Sequence, residues 1–246
     1  MQNFINDKIR ITCETLKGLI ENTIQEITDI KYILCGYRNP GELPAADAEW
    51  HEFKRNEKIQ GYDSHFWFSF SVDTPHEITN KEFALRFDTV SHHGEGDMTN
   101  PQGIVFLNGK LAQSTDINHT RVYLKPDMHY DVILYFYAGL MDAEVMMNVD
   151  LITSDSVIKQ LYYDISVPYD AAMCFNDSDY THIKTVKHLE TACNLIDLRN
   201  CKSAEFYKSV NDAIKYLKEE YYGKVCENSD AVVSYIGHTH IDVAWL

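Results

Sequence analysis

The sequence predicts a mixed α and β protein: an antiparallel, jelly-roll-like β-sandwich with an N-terminal helix, followed by helices and the first strand of a truncated α/β domain. Three observations carry this. Short alternating or aromatic runs fill the middle of the chain, apolar stripes at helical spacing lie on either side of it, and an apolar run, Ala231-Val232-Val233-Ser234-Tyr235-Ile236, stands near its end. At 246 residues with 45% hydrophobic content, the chain can bury a sizeable core in one large or two modest domains.

At the N-terminus Ile9, Cys13, Leu16, Ile20, Ile24 and Ile27 recur at spacings of three and four, predicting one amphipathic helix within residues 1–29. Residues 30–167 form the sandwich. Its strands are read from Phe66-Trp67-Phe68-Ser69-Phe70-Ser71-Val72, Phe83-Ala84-Leu85-Arg86-Phe87, Gly103-Ile104-Val105-Phe106-Leu107, Val122-Tyr123-Leu124 and the run Tyr130 to Tyr137. Asn108-Gly109 predicts a tight hairpin, because both central positions of a two-residue turn need positive φ. Trp50, Trp67 and the neighbouring phenylalanines read as core. After Val167-Pro168 the period changes, so residues 168–228 form a helical connector. One stripe is Ile183, Val186, Leu189, Cys193 and Ile196, capped from Asp177, Ser178 or Asp179; the other is Phe206, Val210, Ile214, Leu217 and Tyr221, opened by Ser203 and closed by Gly223. Residues 229–246 hold the first strand of the truncated domain.

Charge and composition exclude several partners. A formal net charge of −15 repels nucleic-acid backbones and anionic membranes. No stretch reaches the roughly 20 apolar residues of a bilayer span, and the opening Met1-Gln2-Asn3-Phe4 lacks signal-peptide character, so a cytoplasmic protein is expected. The six cysteines, Cys13, Cys35, Cys174, Cys193, Cys201 and Cys226, have no C-x-x-C spacing and read as buried free thiols.

The richest chemistry lies in Gly237-His238-Thr239-His240-Ile241-Asp242-Val243-Ala244-Trp245-Leu246. In an extended chain His238, His240 and Asp242 share one face. Imidazole and carboxylate suit zinc or a similar divalent ion, but three donors fall short of the usual four. The chain also stops before any helix that could cover the strand, so it reads as the front part of a longer enzyme. His92-His93-Gly94-Glu95-Gly96-Asp97 reads as a solvated loop, and Asp116, Asn118 and His119 as a structural polar cluster beside a turn.

The terminal decapeptide resembles the zinc-site signature that opens the catalytic domain of class II α-mannosidases, glycoside hydrolase family 38, and is most similar to its bacterial and cytosolic branch. Gly103 to Gly109, continuing through Gln113, Asp116, Asn118 and His119, resembles the N-terminal sandwich of that branch, with Ser114 where a glycine is usual. The resemblance implies that the terminal strand opens an α/β catalytic barrel. It implies one Zn2+ per full-length subunit, with His240 and Asp242 as two ligands and His238 as a hydrogen-bonded support; the fragment alone is expected to hold the ion weakly or not at all. It further implies retaining hydrolysis of α-mannoside glycans through a covalent mannosyl-enzyme, with the metal gripping the 2- and 3-hydroxyls and Trp245 lying under the sugar. The nucleophile and the acid/base carboxyl, about 5–5.5 Å apart in retaining enzymes, would lie beyond Leu246. A homo-oligomer is expected at full length. Two other readings compete: an amidohydrolase-type metal site using His238 and His240, and a non-catalytic carbohydrate-binding sandwich.

Overall fold

The computed structural model describes residues 2–36, 42–45, 47–89, 101–140, 144–226 and 234. The chain divides into two compact bodies, Cys13–Tyr162 and Met1–Thr12 with Tyr163–Leu246. The first helix, α1 (Gln2–Ile20), is shorter than its apolar period predicts. Residues read as its last turns form a strand instead, β1 (Glu21–Ile27). Ile24 and Ile27 fit both periods, and pairing with a later strand decides: Glu21 to Thr23 and Gln25 to Ile27 align with Ser154 to Val149, the register shifting at Ile24.

Eleven further strands follow among the described residues: β2 (Ile30–Cys35), β3 (His51–Phe53), β4 (Lys58–Gln60), β5 (His65–Asp73), β6 (Lys81–Asp88), β7 (Gln102–Leu107), β8 (Lys110–Thr115), β9 (Arg121–Leu124), β10 (His129–Tyr137), β11 (Glu144–Met146) and β12 (Asn148–Asp155). They form a four-stranded sheet, β1-β12-β6-β9, a six-stranded sheet, β3-β2-β5-β10-β7-β8, and a small β11-β4 ribbon. Neighbouring strands pair antiparallel throughout.

Alternation explains the sandwich. On β5, Phe66, Phe68, Phe70 and Val72 are buried in the common core; β10 contributes Val132, Leu134 and Phe136 to it, and the smaller sheet Phe83, Leu85, Phe87, Val149 and Leu151. The outward residues of the larger sheet carry a second, smaller cluster, Trp67, Phe106 and Tyr135, against which Trp50 packs. The core reading therefore holds for Trp67 and the phenylalanines, with Trp67 on the opposite face from Phe66 and Phe68, while Trp50 is half-buried against the outer cluster.

At the β7–β8 hairpin, Asn108 and Gly109 take φ of 50° and 74°, as a two-residue turn demands. Asn108 locks the tip to β10: its side chain donates to His129 O at 3.1 Å and accepts from Asp131 N at 2.8 Å. Gly103 answers a different need, close approach. A Cβ there would stand 2.6 Å from Leu134 Cδ1 and 2.8 Å from Thr115 Cγ2, both buried. Gly103→Ala is expected to destabilise the sandwich by about 1–3 kcal/mol through overpacking, measured by chemical denaturation. On the smaller sheet the buried carboxylate of Asp150 faces Arg86 Nη2 at 2.8 Å and Arg55 Nη1 at 2.9 Å, so it is charge-compensated.

The helical segment begins earlier than the sequence period predicts. Helix α2 (Ser156–Met173) starts directly after β12, where Asp155 Oδ1 accepts from Val157 N and Ile158 N, both at 3.0 Å. It runs through Pro168. Proline has no N–H to offer the carbonyl four residues earlier, and the Tyr222 hydroxyl donates to that Asp164 O at 3.0 Å in its place. Helix α3 (Tyr180–Leu195) is capped by Asp179, and α4 (Ala204–Tyr216) by Ser203, as the capping residues suggested. A π-helical turn, Leu217–Tyr222, extends α4 as far as Gly223. Within α3 the buried side is His182, Thr185, Val186, Leu189, Ala192 and Cys193, whereas Ile183 is exposed and leaves the predicted stripe.

None of the six cysteines, all among the described residues, forms a disulfide; only Cys13 and Cys193 are buried, and Cys174 and Cys226 are exposed, correcting the buried reading for those two. Among the described residues no helix is long and apolar enough to cross a membrane.

Candidate functional site

The metal candidates His240 and Asp242, their support His238 and the proposed sugar platform Trp245 all lie outside the described residues, as does the loop from His92 to Asp97. Among the described residues no group of three or more His, Cys, Asp or Glu side chains is placed to hold a metal ion.

The second motif, Gly103 to His119, lies among the described residues. Asp116 follows β8 and makes an Asx turn: its Oδ1 accepts from Asn118 N and His119 N, both at 2.7 Å, while His119 Nδ1 stands 3.0 Å from both carboxylate oxygens. Burial pushes the Asp116 carboxyl up, but the hydrogen bonds from the His119 ring and from the two backbone N–H groups outweigh it and hold the group below its usual range. A depressed carboxyl stabilises the fold above its unfolded-state pKa, and that contribution is lost as pH falls through the folded value. Titration followed by carboxyl NMR is expected to place Asp116 below the ordinary Asp value of about 3.9, with His119→Ala moving it upward. The structural reading of this cluster is thus supported by its bonds. Ser114, which stands where the resemblance expects glycine, is an ordinary exposed strand residue opposite Ile104.

Beside Asp116 a cavity of about 680 Å³ opens on the outward face of the six-stranded sheet. Register explains its floor. His65 on β5 aligns with Tyr137 on β10, and Tyr137 with Gln102 on β7; one row further in, Tyr135 aligns with Ile104, and Ile104 with Ser114 on β8. Three separate stretches of sequence, β5, β10 and the β7–β8 hairpin, therefore bring imidazole, phenol, amide and hydroxyl groups to one surface.

The rings are mutually fixed. His65 stacks on Tyr137 at 4.8 Å and on Tyr135 at 5.7 Å between centroids, and the Tyr135 hydroxyl lies 2.9 Å from His65 Nδ1. Tyr137 donates to Asp63 Oδ1 at 3.0 Å. Burial, followed by the hydrogen bond to this carboxylate and its charge, pushes the Tyr137 phenol up to about 12, so it remains a protonated donor. Asp63 itself sits at φ 46°, with its N–H donating to Gly139 O at 2.9 Å. The sequence patterns did not single out Asp63, His65 or Gln102. The only available signal was the outward position of residues 65, 102, 135 and 137 in their strand alternation, and this needs the strand pairing to become a site.

Neither a family model nor a curated protein matches the chain significantly. Among solved structures, a provisionally assigned β-galactosidase from Bacteroides fragilis shares 17% identity, covering 55% of this chain and 23% of its own, with a TM-score of 0.38. A Ruminococcus gnavus β-glucuronidase in complex with D-glucaro-d-lactam shares 16% identity, covering 55% and 30%, with a TM-score of 0.36. An uncultured Clostridium sp. β-glucuronidase shares 12% identity, covering 55% and 29%, with a TM-score of 0.37. The match thus spans under a third of each neighbour's length. These neighbours are glycoside hydrolases by name, and at such scores the likeness carries nothing about the chemistry of this chain.

Proposed function

We propose that this chain is the N-terminal part of a zinc-dependent, retaining α-mannosidase that removes terminal α-mannosyl residues from glycans. The observation that carries the reading is the motif His238-Thr239-His240-Ile241-Asp242-Val243-Ala244-Trp245-Leu246, preceded by a sandwich bearing the Gly103 to His119 motif and by helices. His240 and Asp242 offer the nitrogen and oxygen donors that zinc accepts, and His238 would orient them through a hydrogen bond. A divalent ion at such a site supplies Lewis acidity toward sugar hydroxyls and offsets developing charge. Trp245 would present a flat apolar surface to the C–H face of the bound mannose. Nucleophilic attack and proton donation fall to carboxylates of the full-length enzyme, so residues 1–246 alone are expected to be inactive.

A cytoplasmic location suits the free thiols, since a reducing compartment keeps them so. The full-length enzyme is proposed to be a homo-oligomer. The test is to purify the full-length polypeptide, measure its zinc content and assay an aryl α-mannoside before and after chelation. Hydrolysis that is lost with the metal and restored by zinc is expected; a zinc-loaded enzyme that cleaves amides and ignores α-mannosides would overturn the proposal.

A further inference from the structure

We propose that the outward cavity of the six-stranded sheet binds a neutral pyranoside, with His65, Tyr135 and Tyr137 as its apolar wall and Asp63, Gln102 and Ser114 as its polar rim. The chemistry of the lining favours this class over others. A pyranose has an apolar C–H face and a ring of hydroxyls, so it needs aromatic surface next to hydrogen-bond acceptors and donors. The cavity supplies both. Stacked rings on β5 and β10 form one side, with the Asp63 carboxylate bonded to Tyr137 beside them, while the Gln102 amide on β7 and the Ser114 hydroxyl on β8 border the other.

Its volume of about 680 Å³ admits one or two sugar rings. Neither lysine nor arginine occurs among its described lining residues, and Asp63 and Asp116 put two carboxylates there, so phosphorylated and uronic sugars meet repulsion. An organic cation fits less well, because the tyrosine rings stack on His65 instead of enclosing a point. An ionised carboxylate has about four lone-pair positions, so Asp63 can accept from a sugar hydroxyl while retaining the Tyr137 bond.

The site is pre-organised. Tyr137 is tied to Asp63 and Tyr135 to His65, so a ligand meets side chains that have already lost their rotamer freedom. The inference rests on the sandwich alone: the sugar titration below can succeed while the zinc and turnover tests fail, and the reverse also holds.

The experiment uses the 246-residue chain, titrated with methyl α-D-mannopyranoside, methyl β-D-glucopyranoside and methyl β-D-galactopyranoside, and in parallel with glucuronic acid and tetramethylammonium. Binding is read by calorimetry and by NMR shifts of the tyrosine and histidine rings. At least one neutral glycoside is expected to bind in the millimolar range and to shift the resonances of His65, Tyr135 and Tyr137. Asp63→Asn, which keeps a residue tolerant of positive φ, is expected to weaken binding by about fivefold to tenfold, as loss of a charge-assisted hydrogen bond would. Tyr137→Phe should weaken it less than Tyr137→Ala, whereas Ser71→Ala, further along β5, leaves it unchanged. Thermal unfolding of each variant separates lost binding from lost fold. No neutral glycoside bound by a folded protein, binding of tetramethylammonium or glucuronic acid alone, or shifts confined to other residues would overturn the proposal.

Discussion

Replacing His240 or Asp242 by alanine in the full-length enzyme is expected to abolish zinc retention and to lower α-mannoside hydrolysis by about a thousandfold or more. Each change would remove one of the two donors this motif is proposed to supply, and the donors left would hold the ion far more weakly. Loss of the metal would then remove both sugar positioning and charge stabilisation, effects worth several kcal/mol together, and about 1.4 kcal/mol corresponds to each factor of ten in rate. His238→Ala should behave differently. A side chain that only orients a ligand typically costs about 10–100-fold in metal affinity, so its activity should return at high zinc concentration. Trp245→Ala should leave zinc content unchanged and reduce kcat/KM through lost ring contact. Measured zinc stoichiometry beside turnover separates the three classes. Near-native turnover of His240→Ala or Asp242→Ala would remove the basis of the mannosidase reading.

The residues that declared themselves in sequence did so because local chemistry alone determines their structure. Asn108-Gly109 requires a tight turn wherever it sits between apolar runs, and both residues take positive φ. Asp179 and Ser203 are legible as helix caps because a short side chain competing for nearby N–H groups has few other uses before an apolar stripe. Phe66, Phe68 and Phe70 lie in the core and alternate with residues of the opposite face, half-buried His65 and Ser69, exposed Ser71, and Trp67 buried in the outer cluster. Elements decided by distant partners were misread. Ile24 and Ile27 continue the helical period of α1, yet pairing with β12 draws Glu21–Ile27 into a sheet. Ser156 opens a helix within a stretch assigned to the sandwich, although Ile158, Leu161 and Ile165, all buried, already follow a helical period. Pro168 reads as a breaker until Tyr222 is found donating to Asp164 O. The outward cavity was hidden for the same reason. His65, Gln102, Ser114 and Tyr137 lie on four different strands, and only the register of β5, β10, β7 and β8 makes them neighbours.

Phe68→Ala is expected to destabilise the sandwich by about 3–5 kcal/mol, the range for removing a fully buried phenylalanine. Phe68 is 0% exposed and sits on β5, between β2 and β10, aligned with Tyr32 on one side and Leu134 on the other. Its ring meets Phe53 edge-on at 5.4 Å and 90°, meets Phe136 edge-on at 5.6 Å and 89°, and stacks with Tyr32 at 6.1 Å and 30°. Alanine would leave these rings facing a void, and they cannot close it together because each is held by a different strand. Domains are commonly stable by only about 5–15 kcal/mol, so the loss would consume a large part of the total. Phe68→Leu fills most of the volume and should cost appreciably less. Urea denaturation of both variants provides the check, with the slope against denaturant held near that of the unmodified chain. The ordering also discriminates between causes: a cavity penalises alanine far more than leucine, whereas a defect in strand pairing would affect the two variants alike. Equal and small losses in both would mean that Phe53, Phe136 and Tyr32 do not close around Phe68 in solution, and the six-stranded sheet that aligns His65 with Tyr137 and Gln102 would lose its anchor.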